Sequence, residues 1–243
     1  FSTPSWIAML FAAGMGVGLL FWGAAEPVLH FTKAPGVVGR SAEAAGNAMV
    51  VTTFHWGLHA WACYGLAALV LAFFGFRKGL PYLPGAPLRS VFRGRWVNPT
   101  AFSADLIAVL AVAFGVAGSL AMGIFQLQAG LHVVTGASND SPWVAVGILV
   151  VLVAAYMTSA GTGLDKGIKW LSNINMWLAI ALLAAVFLAG ETAHLMGTFT
   201  SAVGDYLSKL VGLSFQTYPH GRAADGWLET WTLTSFIWWI AWA

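Results

Sequence analysis

Ala12-Ala13-Gly14-Met15-Gly16-Val17-Gly18 lies near the middle of an apolar segment that runs from Ser5 to His30. Gly14, Gly16 and Gly18 each lower helix propensity by about 1 kcal/mol relative to alanine. Their clustering predicts a place where the helix unwinds. Unwound backbone at mid-membrane must meet protein, water, an ion or a substrate. Broken helices mark substrate and ion sites in secondary transporters. The same residues carry a second reading: Gly14 and Gly18 form a GxxxG pair, which brings helices together with no site at all. A dinucleotide-binding loop does not fit, because no strand precedes the run and the third glycine of GxGxxG is missing.

The segment sits in a chain made for lipid. Of 243 residues, 59% are hydrophobic and 8% charged, against about 25% charged in a soluble domain. Mean hydropathy is +0.78. Too few polar groups are present to cover a water-facing surface. The 28 glycines fit close packing between membrane helices. Net charge is +2, too weak to argue for nucleic acid. A single cysteine, Cys63, excludes an internal disulfide and a Cys-based zinc site. Phe1 is not an initiator methionine and Ala243 falls inside an apolar run, so the sequence reads as part of a longer chain. No cleavable signal peptide is visible, since the first apolar run is too long and lacks a basic start.

Six apolar segments stand out: Ser5–His30, Ala45–Phe76, Phe102–Val134, Pro142–Thr158, Ile168–Ala189 and Trp227–Ala243. Crossing the hydrocarbon core takes about 20 helical residues. The first five reach or approach that length, and the second and third exceed it, which predicts tilt or protruding ends. Loops on one side carry Arg77, Lys78, Arg89, Arg93, Arg95, Lys166 and Lys169; those on the other carry Lys33, Arg40, Lys209 and Arg222. The positive-inside rule places the first set in the cytoplasm, together with Phe1. Residues 79–99 form a proline-rich basic and aromatic connector, read either as lying at the inner interface or as solvated. Within residues 190–226, Val203, Leu207, Leu210 and Val211 predict a short amphipathic helix over Thr200–Leu213, lying across the outer mouth. Near the end of the first segment, Glu26 is expected to reach interfacial water and Pro27 to end the helix.

Two aromatic clusters fall inside apolar segments, Phe54-His55-Trp56-Gly57-Leu58-His59-Ala60-Trp61-Ala62-Cys63-Tyr64 and Trp231 to Trp242. Trp and Tyr usually gather at the membrane surface. Deeper in, their π-faces can hold a cation that has no proton to donate, such as a quaternary ammonium group. Spacing alone leaves packing open as the alternative. On a continuous helix Trp56, Trp61 and Tyr64 project away from His55 and His59, while Trp231, Trp238 and Trp242 share a face with Trp239 to one side. His55 and His59, one turn apart, have the spacing of a metal pair, but no carboxylate lies within a turn of them. Three or four rings at up to about 2 kcal/mol each suit a ligand bound at micromolar to millimolar levels.

These residues resemble the betaine/choline/carnitine transporter (BCCT) family. The similarity rests on Gly14-Met15-Gly16-Val17-Gly18, Ala25-Glu26-Pro27, His55-Trp56-Gly57-Leu58-His59-Ala60-Trp61-Ala62-Cys63-Tyr64, Gly167-Ile168-Lys169-Trp170-Leu171-Ser172-Asn173 and Trp231-Thr232-Leu233 through Trp238-Trp239. The resemblance implies an all-α membrane protein with a leucine-transporter-type fold of two inverted five-helix repeats. Residues 1–189 would form the first repeat, 190–226 the outer loop, and 227–243 the start of the second. It implies an aromatic box of Trp56, Trp61, Tyr64 and Trp239, with Trp238 and Trp242 lining the substrate pathway. Gly14, Met15, Gly16 and Gly18 would form the unwound stretch beside the substrate. It also implies no organic cofactor, a sodium or proton coupling ion, a bacterial inner-membrane location and a homotrimer.

Three departures from the family pattern bear on specificity. Ser235-Phe236 stands where the signature has Phe or Tyr followed by Trp. Gly18 stands where choline-preferring members carry an acid, which favours a zwitterion such as glycine betaine. Val112 and Val116 stand where sodium-coupled members place hydroxyls; a second family-type sodium site would use the carbonyls of Ala12 and Met15. The resulting expectation is a secondary transporter of a quaternary ammonium solute and not an enzyme. The rivals are a membrane metalloenzyme using His55 and His59, and a non-transporting sensor of the same fold.

Overall fold

The computed structural model describes residues 1–14, 16–33, 36–217 and 226–242. The regular secondary structure of the described residues is all helix, with no strand among them. They divide into two compact units, Phe1–Ala25 with Gly118–Ser201, and Glu26–Ala117 with Ala202–Ala243.

The first apolar segment is two helices. Helix α1 spans Thr3–Gly14 and α2 spans Val17–Thr32, so regular helix stops within the glycine run. Pro27 does not end α2, which continues for five more residues. The ring removes one backbone bond, but Glu26 and His30, one turn apart, bridge that stretch at 3.0 Å.

Helix α3 spans Ala42–Trp56 and α4 spans Leu58–Ala72. At the start of α3, the Ser41 hydroxyl accepts the Ala44 N–H at 3.0 Å, and Glu43 sits in the first turn against the positive end of the helix dipole. The expectation of one continuous helix through Ala45–Phe76 is therefore corrected: the segment breaks at Gly57. A short π-helical turn, Phe73–Arg77, ends it.

The connector 79–99 is neither loose nor structureless. It contains α5, Gly85–Val91, followed by α6, Val97–Thr135. Asp105 of α6 accepts the Gly85 N–H at 2.7 Å and both terminal nitrogens of Arg89 at 3.1 Å. A fixed carboxylate at the start of α5 and a forked guanidinium from its second turn hold that helix in place.

Helix α7 spans Pro142–Gly161 and α8 spans Lys169–Ala189, joined through a π-helical turn at Leu164–Ile168. In this unit Asn173 of α8 donates to Ser5 of α1 at 3.3 Å, and Gln128 of α6 donates to the Ser141 carbonyl at 3.0 Å. Helix α9 spans Thr192–Ser214, longer than the Thr200–Leu213 expected. Leu195 and Met196 are strong helix formers and carry the helix back past Gly197. The last helix, α10, spans Thr234–Trp242 after a π-helical turn at Glu229–Leu233.

Four stretches are long and apolar enough to cross a bilayer: Ala42–Arg77, Val97–Thr135, Pro142–Gly161 and Leu164–Ala189. Large apolar side chains point outward along them, with Trp143 82% and Leu188 87% exposed. A water-facing surface of that kind would drive aggregation; hydrocarbon accepts it, because backbone polar groups are satisfied within each helix.

Candidate functional site

The site grows out of the break at Gly57. The last four carbonyls of any helix have no intrahelical acceptor role to fill, and α3 ends at Trp56. Two of those carbonyls receive indole N–H groups. Trp239 of α10 donates to the His55 carbonyl at 2.9 Å, and Trp61 of α4 donates to the Trp56 carbonyl at 3.1 Å. The third indole, that of Trp56, donates to Glu26 Oε2 at 2.7 Å.

With their N–H edges tied down, the rings converge. Trp239 is 6% exposed. Its ring centroid lies 5.2 Å from Trp56 at 88°, 6.1 Å from Trp61 at 44° and 5.5 Å from Tyr64 at 77°. Trp61 and Tyr64 lie 5.9 Å apart. The structure therefore brings Trp56, Trp61, Tyr64 and Trp239 into one cluster built by α3, α4 and α10. Edge-to-face geometry of this kind directs positive ring edges at a neighbour and leaves other faces electron-rich.

Below the rings is a buried polar knot. Glu26, His30 and His55 are 4%, 0% and 1% exposed. Glu26 Oε1 accepts from His30 Nε2 at 3.0 Å and from His55 Nδ1. His55 Nε2 pairs with the Thr232 hydroxyl at 3.0 Å. An Nδ1–H tautomer satisfies both contacts: Nδ1 donates to the carboxylate, and Nε2 accepts from threonine. The expectation that Glu26 reaches interfacial water is corrected, since three N–H donors replace water around the carboxylate. Trp231 packs against His30 at 4.7 Å.

Two contacts brace the break from α9. The Leu58 N–H donates to the Tyr206 hydroxyl at 2.8 Å. The Ser214 hydroxyl donates to the Leu210 carbonyl at 2.6 Å and pairs with His59 Nε2 at 3.0 Å. His55 and His59 are thus committed to different partners. Gly57 interrupts the helix between them: His55 meets Glu26 and Thr232, and His59 meets Ser214. The group with metal-ligand chemistry among the described residues is Glu26, His30 and His55 instead.

The remaining expected residues are placed as follows. Trp238 lies on α10 and is 40% exposed. Trp242 is the last residue of α10, and its side chain lies outside the described residues. Gly14 ends α1. Met15 lies outside the described residues. Gly16 has open space where a Cβ would stand, and Gly18 has Met122 Cε 3.8 Å from that position. Ala12 is in the last turn of α1. Val112 and Val116 are exposed on α6, with no side-chain oxygen to offer an ion. Sequence reading missed Glu26, His30, Thr232 and Tyr206 as partners of the cluster. Glu26 and His30 had a signal: an acid and a histidine one turn apart inside an apolar segment, where ionisable groups are costly. Tyr206 had none.

A profile described as BCCT, betaine/carnitine/choline family transporter, matches residues 1–243. The chain belongs to this family. It is 39% identical to the glycine betaine transporter OpuD of Bacillus subtilis, over the whole of this chain and 48% of that protein. It is 42% identical to an uncharacterized transporter of Haemophilus influenzae, over the whole chain and 36% of that protein. It is 39% identical to the ectoine/hydroxyectoine transporter of Virgibacillus pantothenticus, over the whole chain and 48% of that protein. The chain therefore spans about a third to a half of the length of the relatives it matches. As a BCCT member it is a multi-pass integral membrane protein, and its bacterial relatives put it in the plasma membrane.

Proposed function

We propose that this BCCT protein carries a quaternary ammonium solute, glycine betaine first among them, as a secondary active transporter. Trp56, Trp61, Tyr64 and Trp239 would hold the ammonium group, with Trp238 and Trp242 along its path. The observation that carries this reading is the convergence of three aromatic rings from two helices on the buried indole of Trp239 in a chain of this family. Each desolvated ring contributes up to about 2 kcal/mol to a cation. Weak binding of this kind suits a carrier that must release its cargo.

The carboxylate of a zwitterion would be met by the backbone of Gly14, Met15, Gly16 and Gly18, with the neutral Gly18 adding no negative charge. Sodium as coupling ion would use the carbonyls of Ala12 and Met15. Ala12 is among the last four residues of α1, whose carbonyls have no intrahelical partner. Proton coupling is the second reading, because Val112 and Val116 bring no hydroxyl to the other family-type sodium position. In this account residues 1–189 are the first repeat of a leucine-transporter-type fold and 227–243 open the second, with a homotrimer as the assembly.

Identity does not separate betaine from ectoine, since the two named relatives are equally similar at 39%. Uptake by proteoliposomes holding the protein as its gene encodes it tests the proposal, with labelled glycine betaine against choline, carnitine and ectoine as competitors. Glycine betaine uptake driven by a sodium or proton gradient is expected. Binding without flux would favour a sensor, and no betaine-type uptake under any ion gradient would end the carrier reading.

A further inference from the structure

We propose that Glu26 and His55 are positioning residues for the aromatic cluster: together they fix the indoles of Trp56 and Trp239, so that the two rings turn their faces to a bound cation. The inference rests on reading that cluster as the cation site.

Four bonds carry it. Glu26 Oε2 accepts the Trp56 indole N–H at 2.7 Å, and the His55 carbonyl accepts the Trp239 indole N–H at 2.9 Å. The His55 side chain donates through Nδ1 to the same carboxylate, and the Thr232 hydroxyl holds its far nitrogen at 3.0 Å. One carboxylate on α2 and one histidine at the end of α3 thus reach rings on α3 and α10. An indole N–H bond to a carboxylate is directional and stronger than one to a neutral acceptor, so Glu26 sets the rotation of the Trp56 ring as well as its position, while the neutral His55 carbonyl orients Trp239 through an ordinary N–H···O bond. A carboxylate in a membrane interior is costly, and a packing role alone would be served as well by an apolar side chain.

A metal held by Glu26, His30 and His55 is the rival use of the same atoms. In a tetrahedral zinc shell with ligands at 2.0–2.1 Å, neighbouring ligand atoms stand about 3.3 Å apart. Here His30 Nε2 lies 3.0 Å from Glu26 Oε1, an N–H···O distance, and the other carboxylate oxygen already serves Trp56. The atoms are arranged as donors around one acceptor.

Equilibrium binding of glycine betaine to the protein as its gene encodes it, in Glu26→Gln, Trp56→Phe and the double variant, tests the inference. Gln keeps the size but offers one acceptor oxygen for three N–H donors. Glu26→Gln is expected to raise Kd about tenfold alone and less than about twofold in the Trp56→Phe background, because the two act through one bond. In uptake, KM is expected to rise with Vmax per folded transporter held. Additive losses would mean that Glu26 meets the substrate itself, and would overturn the inference, as would an unchanged Kd. A stoichiometric metal lost on Glu26→Gln would overturn it in favour of a metal centre. Should Glu26→Gln fail to fold, Thr232→Val removes only the outermost bond; a rise of about threefold in Kd is expected, and no rise overturns the inference. Trp61→Ala separates the two levels, since that indole bonds neither Glu26 nor His55. Weakened binding there with an additive Glu26/Trp56 cycle rejects only the positioning role, whereas unchanged binding rejects the aromatic site beneath it.

Discussion

Gly57 makes the cluster possible by having no side chain. A Cβ at that position would meet the Thr53 carbonyl oxygen first, and would stand 2.6 Å from the Tyr206 hydroxyl oxygen and 2.8 Å from its ring carbon Cζ. Tyr206 is buried at 5% exposure, so the phenol has little room to retreat. Gly57→Ala is expected to cost about 1–3 kcal/mol through overpacking and loss of the Leu58 contact. Thermal unfolding in detergent measures it, and a wild-type midpoint would contradict the close approach. At this scale the sequence was partly legible. The aromatic residues announced themselves by type, and Glu26 by its cost in an apolar segment. The consequence of Gly57 was hidden, because one glycine lowers helix propensity by only about 1 kcal/mol and one of the two groups crowding it, Tyr206, lies 149 positions away in α9.

At the scale of elements, broken helices give this chain its chemistry. The first interruption, between Gly14 and Val17, could be read from three clustered glycines. The second, between α3 and α4, could not, and it supplies the carbonyls that orient Trp61 and Trp239. Trp56, Trp61 and Tyr64 still gather apart from the partners of His55 and His59. Helix α9 braces this second interruption, through Tyr206 on Leu58 and Ser214 on His59. Tyr206→Phe keeps the ring and removes the acceptor from the Leu58 N–H. The expected loss is about 1 kcal/mol of stability, with faster amide exchange in the first turn of α4 read by hydrogen–deuterium exchange. Exchange there at the wild-type rate would mean that α9 does not hold the break. Within the connector 79–99, read as lying at the inner interface or as solvated, Asp105 from the third turn of α6 pins α5, a placement that depends on a residue outside the connector.

For the molecule as a whole, composition sufficed to place the chain in lipid, and the outward-facing apolar residues of α6, α7 and α8 agree with it. Which rings meet was beyond composition, because residues 56–64 and 239 are joined only by tertiary packing. The chain belongs to the betaine/carnitine/choline transporter family, and the proposed function ties that packing to a quaternary ammonium solute. In the proposed carrier the four-ring cluster binds a quaternary ammonium group, and Trp239 is the ring that touches the other three. Titration of glycine betaine into the protein as its gene encodes it, wild type against Trp239→Ala, tests this most directly. A loss of about 1–2 kcal/mol in binding, roughly five- to thirtyfold in Kd, is predicted for the variant with its fold retained. An unchanged Kd in a folded Trp239→Ala protein would contradict the claim.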